Sequence, residues 1–242
     1  MISQARRPVP LSAAHPPSLA PRALAVIGWG SLVLTFWLFL TIAWDVSTHA
    51  ELVVIDARVA AWLHRHAPDG LTYAMLGITH LHGEIGLALL AIAFALVLWR
   101  KRERYWLLTL ALAVPGGTAL NILLKHAYER ARPHFDDPMI TLESYSFPSG
   151  HAAGATAFYM VLAAFLVSRF YDRRRRAAIV TAAVAMVLLV AFSRMYLGAH
   201  YLSDVVAAMS STAAYVVLCL SAVHALVRRR LVEYSPNYVS PL

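Results

Sequence analysis

Apolar residues in this chain occur in long runs instead of alternating with polar ones. The first run, residues 23–44, holds 22 residues without a charge, enough for a helix to cross a hydrocarbon core of about 30 Å. A cleaved secretory signal has an apolar core of only about 7–15 residues, so this run predicts an uncleaved membrane anchor. Together with five further runs it gives six predicted spans: residues 23–44, 78–99, 105–124, 150–168, 177–192 and 201–227.

The segment after the first span is amphipathic. Leu52, Val59 and Leu63 recur at helical spacing within residues 51–66, and charged residues fall among them. This pattern is typical of a helix that lies in the membrane interface and does not cross the bilayer.

Two of the spans contain irregularities. His80, His82 and Glu84 interrupt the first half of the second apolar run, so we place its span at residues 78–99 with the polar start at the interface. The third span contains the sequence Pro115-Gly116-Gly117, which predicts a kink.

Composition agrees with a membrane protein. The 242 residues are 60% hydrophobic and only 14% charged, whereas a soluble domain carries about 25% charged residues. The single Cys219 excludes an intramolecular disulfide and a zinc–thiolate cluster. We therefore predict an all-α integral membrane protein, a six-transmembrane-helix bundle with an extracytoplasmic interfacial helix after the first span.

The distribution of basic residues predicts the orientation. Fifteen of the 21 Lys and Arg residues fall in segments on one side of the predicted spans. Positive charge collects on the cytoplasmic side, so both termini are expected inside an inner (cytoplasmic) membrane and residues 125–149 outside. The net charge of +8 then serves orientation and contact with anionic lipid, and it does not call for nucleic acid. The expected organisation is a disordered tail at residues 1–22, a membrane domain at 23–230 and a second cytoplasmic tail at 231–242.

The first of three polar stretches on the outer side lies at the end of the third span. Lys125 and Arg132 are seven residues apart, two helical turns, and therefore fit one helix face. Pro133 disfavours helical backbone at Arg132, so we expect the helix to stop there and release Arg132 into the loop. An arginine fork and a lysine charge suit phosphate. The alternative is a pair of interfacial cations that extend towards the headgroups.

The second stretch, Phe147-Pro148-Ser149-Gly150-His151, precedes an apolar helix. Ser149 suits the N-cap position, and Gly150 lets a ligand approach the free amides of the helix start, which form an anion site. His151 in the first turn is placed to donate a proton. An ordinary capped helix with an interfacial histidine is the alternative.

The third stretch runs from Ser193 to Asp204. His200 and Asp204 are four residues apart and share a face if the backbone is helical, which lets the carboxylate fix the imidazole tautomer. Arg194 would point away from His200 on a straight helix, but Gly198 permits a turn between them. The alternative is a polar loop with a solvated histidine and a capping aspartate. Together, the three stretches describe phosphoryl transfer.

These motifs resemble a known family. Lys-x6-Arg-Pro, Pro-Ser-Gly-His and Ser-Arg-x5-His-x3-Asp, in this order, are similar to the signature motifs of the type 2 phosphatidic acid phosphatases, which share a fold core with vanadium haloperoxidases. The match is complete at every signature position.

The resemblance implies a metal-independent lipid phosphatase without a cofactor. His200, oriented by Asp204, attacks phosphorus, His151 protonates the leaving oxygen, and water hydrolyses the phosphohistidine. The groups expected to hold the phosphate oxygens are Lys125, Arg132, Arg194, Ser149 and the Gly150 amide. The charge that spreads over the phosphate in the transition state favours such a set of fixed cations.

The family implies several substrates at the outer membrane face: undecaprenyl diphosphate, which we favour, or phosphatidylglycerophosphate, phosphatidate or lipid A phosphates. A phosphotransferase that passes the group to another lipid would use the same motifs. A transporter is disfavoured because the polar groups gather at one membrane face. A metal site at His80, His82 and Glu84 is likewise disfavoured, since interfacial histidines are usually solvated or hydrogen-bonded.

Overall fold

The fold was analysed in a computed structural model that describes the backbone of residues 21–234 and, apart from Asp69, the side chains of residues 28–227. Most of both predicted tails lies outside these ranges. The described part contains eight α-helices and no strand: α1 (Pro21–Thr48), α2 (Glu51–Arg65), α3 (Asp69–Leu81), α4 (Glu84–Arg100), α5 (Arg104–Tyr128), α6 (Gly150–Val167), α7 (Arg173–Tyr196) and α8 (Leu202–Tyr234).

Five of these helices, α1, α5, α6, α7 and α8, are long and apolar enough to cross a membrane. The pair α3 and α4 gives a sixth span if the two count as one. The predicted six-span all-α architecture is confirmed, and α2 follows the first span as an amphipathic helix.

The second span differs from the prediction of one helix over residues 78–99. The chain bends by 54° between Gly70–Leu81 and Glu84–Arg100, and His82 and Gly83 form the break. Gly86 allows this bend, because a Cβ at that position would lie 2.1 Å from the carbonyl oxygen of Leu81. We call residues 79–83 the elbow.

The helix of the third span ends earlier than predicted. α5 continues through Pro115 without an interruption, and it ends at Tyr128 because Glu129 adopts left-handed backbone with φ 44°. Arg132 therefore lies in the loop, four residues beyond the helix end.

The core of the bundle lies around α6, which packs against α4, α5, α7 and α8. Its first turns present a row of small buried residues that allow neighbouring backbones to approach closely: Ala152, Ala153, Gly154, Ala155 and Ala157. α1 packs along α8, and α2 contacts α1, α7 and α8 at the end of the bundle where α6 and α8 begin. That end carries the polar stretches.

Candidate active site

The three motifs meet because four helix ends lie together. The amide of Ser149, just before α6, donates a hydrogen bond of 3.1 Å to the carbonyl oxygen of Asp204 in the first turn of α8. The end of α7 joins the same group, since the amide of His200 lies 3.3 Å from the carbonyl oxygen of Arg194. Gly198 makes the expected turn with φ 69°. A straight helix would have pointed Arg194 and His200 apart, and the turn at Gly198 brings them together.

His200 lies between a carboxylate and a guanidinium. Its Nδ1 atom is 3.5 Å from Asp204 Oδ2, at the outer limit of a hydrogen bond, and has no closer partner. Its Nε2 atom is 3.3 Å from Arg132 Nη1. A guanidinium only donates, so the lone pair must be on Nε2 and the proton on Nδ1, towards Asp204. This tautomer leaves Nε2 unprotonated, as an attacking nitrogen would have to be.

The protein also holds His200 in its neutral form. Burial lowers the pKa of His200 from 6.5 to about 4, and the positive charges of Arg132 and Arg194 act in the same direction. Asp204 opposes this shift without cancelling it. The imidazole is therefore unprotonated at neutral pH, as a nucleophile requires.

Lys125 and Arg132 converge although they do not share a helix face. Lys125 Nζ, on α5, donates to the carbonyl oxygen of Tyr145, and Arg132 Nη2 donates to the same oxygen at 3.1 Å. Arg132 also donates to the carbonyl oxygens of Ser144 and Ala199, each at 2.6 Å. Three loop carbonyls thus fix the guanidinium beside His200.

The start of α6 has the predicted position but not the predicted cap. Ser149 occupies the N-cap with extended backbone, yet its side chain makes no cap hydrogen bond and its buried Oγ has no partner. Within the described residues, the amides of Gly150, His151 and Ala152 also find no acceptor. The helix start keeps its donors available, which suits an anion.

Arg194 is buried and only partly satisfied. Its Nη1 donates to Thr79 Oγ1 at 2.6 Å, whereas its Nε has no partner. Thr79 belongs to the elbow, and the elbow also meets His151, because a Cβ on Gly83 would lie 3.6 Å from His151 Nε2. The broken span therefore forms a wall of the site.

Asp204 accepts several donors besides its contact with His200. Ser146 Oγ and the Tyr201 amide, at 2.9 Å, donate to Oδ2, and Arg130 Nη1 donates to Oδ1 at 2.7 Å. The Tyr201 contact is a helix cap made by a carboxylate in the first turn of α8. It matches the capping role that the sequence left open, in addition to the contact with His200.

Comparison with known proteins matches residues 104–228 to the PAP2 superfamily, and this match contains all three motifs. The chain belongs to the PAP2 superfamily. It is similar to phosphatidylglycerophosphatase B of Bacillus subtilis (strain 168), with 34% identity over 180 residues that cover 74% of this chain and 87% of the relative. It is also 36% identical over 162 residues to decaprenylphosphoryl-5-phosphoribose phosphatase of Mycobacterium tuberculosis (strain ATCC 25618 / H37Rv), covering 64% of this chain and 80% of the relative.

Solved structures agree with this PAP2 membership. The crystal structure of a transmembrane PAP2-type phosphatidylglycerolphosphate phosphatase from Bacillus subtilis superposes with a TM-score of 0.72 at 28% identity, covering 82% of this chain and 96% of that one. LpxE of Aquifex aeolicus shares the fold, with a TM-score of 0.53 at 22% identity over 71% of this chain and 95% of that one. The chain is a membrane lipid phosphatase of the PAP2 superfamily.

The sequence reasoning missed three side chains that contact signature residues of this PAP2 chain, and a fourth that contacts one of the three. Thr79 contacts Arg194, while Arg130 and Ser146 contact Asp204. The fourth, Asp56, contacts Arg130. A signal existed for Asp56, which lies four residues after Leu52 and seven before Leu63 and therefore falls on the apolar face of α2. Nothing in the local sequence distinguishes the other three.

The histidines set aside as a metal alternative have other contacts. His82 is buried, with Nδ1 2.9 Å from the carbonyl oxygen of Ile78 and Nε2 2.8 Å from the Tyr159 hydroxyl. His80 Nδ1 lies 2.7 Å from the carbonyl oxygen of Leu76. In the part of the chain that the structure describes, no group of three or more His, Cys, Asp or Glu side chains is arranged to hold a metal ion.

Proposed function

We propose that the chain hydrolyses a lipid phosphomonoester at the outer face of a bacterial-type inner membrane, through a phosphohistidine on His200. One observation carries this proposal above the others. His200 is neutral, has Asp204 on its Nδ1 side, and directs Nε2 towards the guanidinium of Arg132. A phosphate held by Arg132 would therefore lie next to the lone pair that attacks it.

In the proposed first step, His200 Nε2 forms a bond to phosphorus while the bond from phosphorus to the lipid oxygen breaks. His151, in its protonated imidazolium form, gives a proton to the departing oxygen, and Asp204 stabilises the positive charge that develops on the His200 ring. In the second step, water attacks the phosphohistidine, the phosphorus–nitrogen bond breaks and inorganic phosphate leaves. The proton released by the water returns to His151.

The proposed phosphate ligands are Lys125, Arg132, Arg194, Ser149 and the Gly150 amide. The unpartnered donors support this set. A buried polar atom without a partner costs about 1–3 kcal/mol, and Arg194 Nε and Ser149 Oγ both belong to this class. Non-bridging phosphate oxygens would satisfy both donors, and the charge that builds up on them in the transition state would strengthen the interaction.

The relatives guide the choice of substrate. The Bacillus subtilis relative and the Bacillus subtilis crystal structure are both named for phosphatidylglycerophosphate, and the Mycobacterium tuberculosis relative is named for decaprenylphosphoryl-5-phosphoribose. We therefore place phosphatidylglycerophosphate first. Undecaprenyl diphosphate, which the sequence reasoning favoured, gains no specific support from these names and stays a prediction.

The test is phosphate release by the purified protein from a panel containing phosphatidylglycerophosphate, phosphatidate, undecaprenyl diphosphate and a lipid A phosphate. Replacement of His200 by Ala should lower turnover by at least about 1,000-fold and abolish the acid-labile phosphoenzyme, because it removes the nitrogen that carries the phosphoryl group in the proposed mechanism. His126→Ala is the matched control, since this exposed histidine contacts the carbonyl oxygen of Ile122 on its own helix. Near-native turnover by the His200 variant would rule out the mechanism.

A lipid phosphotransferase remains the second candidate. A phosphotransferase passes the phosphoryl group from His200 to a lipid alcohol, whereas a hydrolase passes it to water. Release of inorganic phosphate without an added lipid alcohol supports hydrolysis. Turnover that depends on such an alcohol and yields a phosphorylated lipid supports transfer. The same assay with EDTA tests metal independence, since the proposed steps use only side chains and water. A strict need for a divalent cation would contradict them.

A further inference from the structure

A carboxylate is completely buried on α2, the amphipathic helix. Asp56 has no exposed surface, and both of its oxygens are used. Oδ1 accepts the amide of Ser203 at 2.9 Å, and Oδ2 accepts Arg130 Nη2 at 2.8 Å together with Ser203 Oγ. A charge buried on the face that packs against α8 needs such compensation. Asp56 therefore joins α2 to the loop after α5 and to the start of α8.

Arg130 is the centre of this contact. One of its terminal nitrogens, Nη2, binds Asp56, while Nη1 lies 2.7 Å from both Asp204 Oδ1 and Ser203 Oγ. The face of the guanidinium lies 4.3 Å from the centroid of the Tyr201 ring. The carboxylates of Asp56 and Asp204 bind the edge of the guanidinium and the Tyr201 ring packs on its face, so the position of Arg130 is fixed.

Arg130 in turn fixes the carboxylate that faces His200. Asp204 Oδ1 is held by Arg130, while Oδ2 is held by Ser146 and by the Tyr201 amide. Groups other than His200 thus hold both oxygens of Asp204, so this carboxylate cannot rotate to follow the His200 ring. The distance of 3.5 Å between Asp204 Oδ2 and His200 Nδ1 is set by these other contacts.

We propose that Asp56 and Arg130 are positioning residues for the proposed reaction, and that α2 thereby holds the His200–Asp204 pair in its working geometry. The inference rests on the proposed function, because it assumes that this pair performs the chemistry. Neither Asp56 nor Arg130 is assigned contact with the substrate.

Stability alone is a poor explanation for this arrangement. A buried group of ion pairs is often no more stabilising than well-packed apolar residues of similar volume, because the charges must be desolvated. The charges of Asp56, Arg130 and Asp204 do fix the distance and angle between the Asp204 carboxylate and the His200 ring. A shift of about 1 Å in a catalytic group can cost about 100-fold in rate, so such a fixed geometry has a measurable effect.

The test compares Asp56→Asn, Arg130→Gln and the double variant by steady-state phosphate release from phosphatidylglycerophosphate in detergent. We expect kcat to fall by about 10-fold for Asp56→Asn and by about 100-fold for Arg130→Gln, with KM within about twofold of the wild type. The double variant should be no slower than Arg130→Gln, because both changes act on one contact chain. Matched controls are Glu51→Gln and Arg58→Gln, exposed residues of the same helix that should leave kcat unchanged.

An unchanged kcat in Asp56→Asn, or losses that multiply in the double variant, would overturn the inference. So would an increase in KM at constant kcat. If Asp56→Asn does not fold, Ser203→Ala decides instead, since it removes one hydroxyl from the same contacts without leaving a charge unpaired. It should lower kcat by about threefold at constant KM, and an unchanged kcat would count against positioning.

Vanadate binding separates this inference from the proposed function. Vanadate adopts the five-coordinate geometry of a phosphoryl-transfer transition state when a nucleophile bonds to it, so its affinity reports the assembled site without turnover. Asp56→Asn should weaken vanadate binding by about 10-fold and inorganic phosphate binding by less than about twofold. If the wild type binds vanadate but releases no phosphate from any lipid in the panel, the proposed function is wrong and this comparison still tests the positioning. Equal vanadate affinity in wild type and variant overturns the positioning.

Discussion

At the scale of single residues, the environment of His200 determines when it can react. Histidine attacks phosphorus only as the neutral ring, so its contribution to activity is present above its pKa and is lost as the pH falls through that value. Because burial lowers the pKa of His200 to about 4, protonation of this ring does not limit activity between pH 7 and about 5. The charged groups that set this value include Asp204, Arg132 and Arg194.

Arg132→Gln should move the acidic limb of kcat/KM towards higher pH. The change removes a cation next to Nε2, so the pKa of His200 rises from about 4 towards 6.5 and the neutral fraction is lost earlier on acidification. The measurement is the ratio of variant to wild-type kcat/KM between pH 4.5 and 8, in which ionisation of the substrate cancels. Arg65→Gln, an exposed arginine at the end of α2, is the control. A ratio that is constant over this range would contradict the assigned coupling.

The sequence led to some site residues and missed others for a physical reason. Lys125, Ser149, His151, Arg194, His200 and Asp204 stand in short motifs whose spacing carries chemical meaning, and the fold brings their helix ends together; their roles remain predictions. Asp56 and Thr79 gain their importance from partners 147 and 115 residues away along the chain. No local pattern specifies such a pairing, since it depends on how the helices pack.

At the scale of elements, hydropathy identified where the spans lie but not the break in one of them. The run from residue 78 to 99 is apolar enough to look like one helix, and the bend arises from the close approach of Gly86 to the end of α3. In α5 the helix is continuous through Pro115, and the kink that Pro115 suggested stays a prediction. The break in the second span depends on contacts and backbone geometry that a hydropathy pattern does not contain.

Gly86→Ala should therefore open the elbow. A Cβ there would meet the carbonyl oxygen of Leu81 at 2.1 Å, and backbone cannot yield as a side chain does. We expect a loss of about 1–3 kcal/mol in the free energy of unfolding in detergent and a lower kcat, because Thr79 and Gly83 would withdraw from Arg194 and His151. Gly77→Ala on α3 is the matched control, since nothing lies within 4 Å of its Cβ position. If Gly86→Ala and Gly77→Ala have the same free energy of unfolding and the same kcat, the bend does not depend on Gly86.

At the scale of the whole molecule, the charges at the two ends of the bundle support the proposed orientation. The basic segments at residues 100–104 and 169–176 fall at the end opposite the candidate active site. The positive-inside rule then directs that site outwards, which is the orientation we propose. The number of spans was predicted from hydropathy and the proposed orientation from charge, whereas the inclination of each helix depends on packing.

Cysteine labelling tests this orientation. In a Cys219→Ala background, Glu143→Cys places a thiol on the exposed loop between α5 and α6, and Tyr171→Cys places one on the exposed segment between α6 and α7. A membrane-impermeant maleimide applied to intact spheroplasts should label the first variant and spare the second. Permeabilisation should then make both reactive. The reverse pattern would place the site in the cytoplasm.

Two helices begin beside His200, and they differ in whether carboxylates of the protein occupy their first amides. At the start of α8, Asp204 and Asp56 occupy the amides of Tyr201 and Ser203, so the protein supplies its own counter-anions there. At the start of α6 the donors stay available. We therefore expect a doubly charged phosphate to bind at the start of α6 in preference to the start of α8, although both helix ends carry the same partial positive charge. In the proposed reaction, this preference would bring the phosphate to one side of the imidazole and so give it a single direction of approach to Nε2.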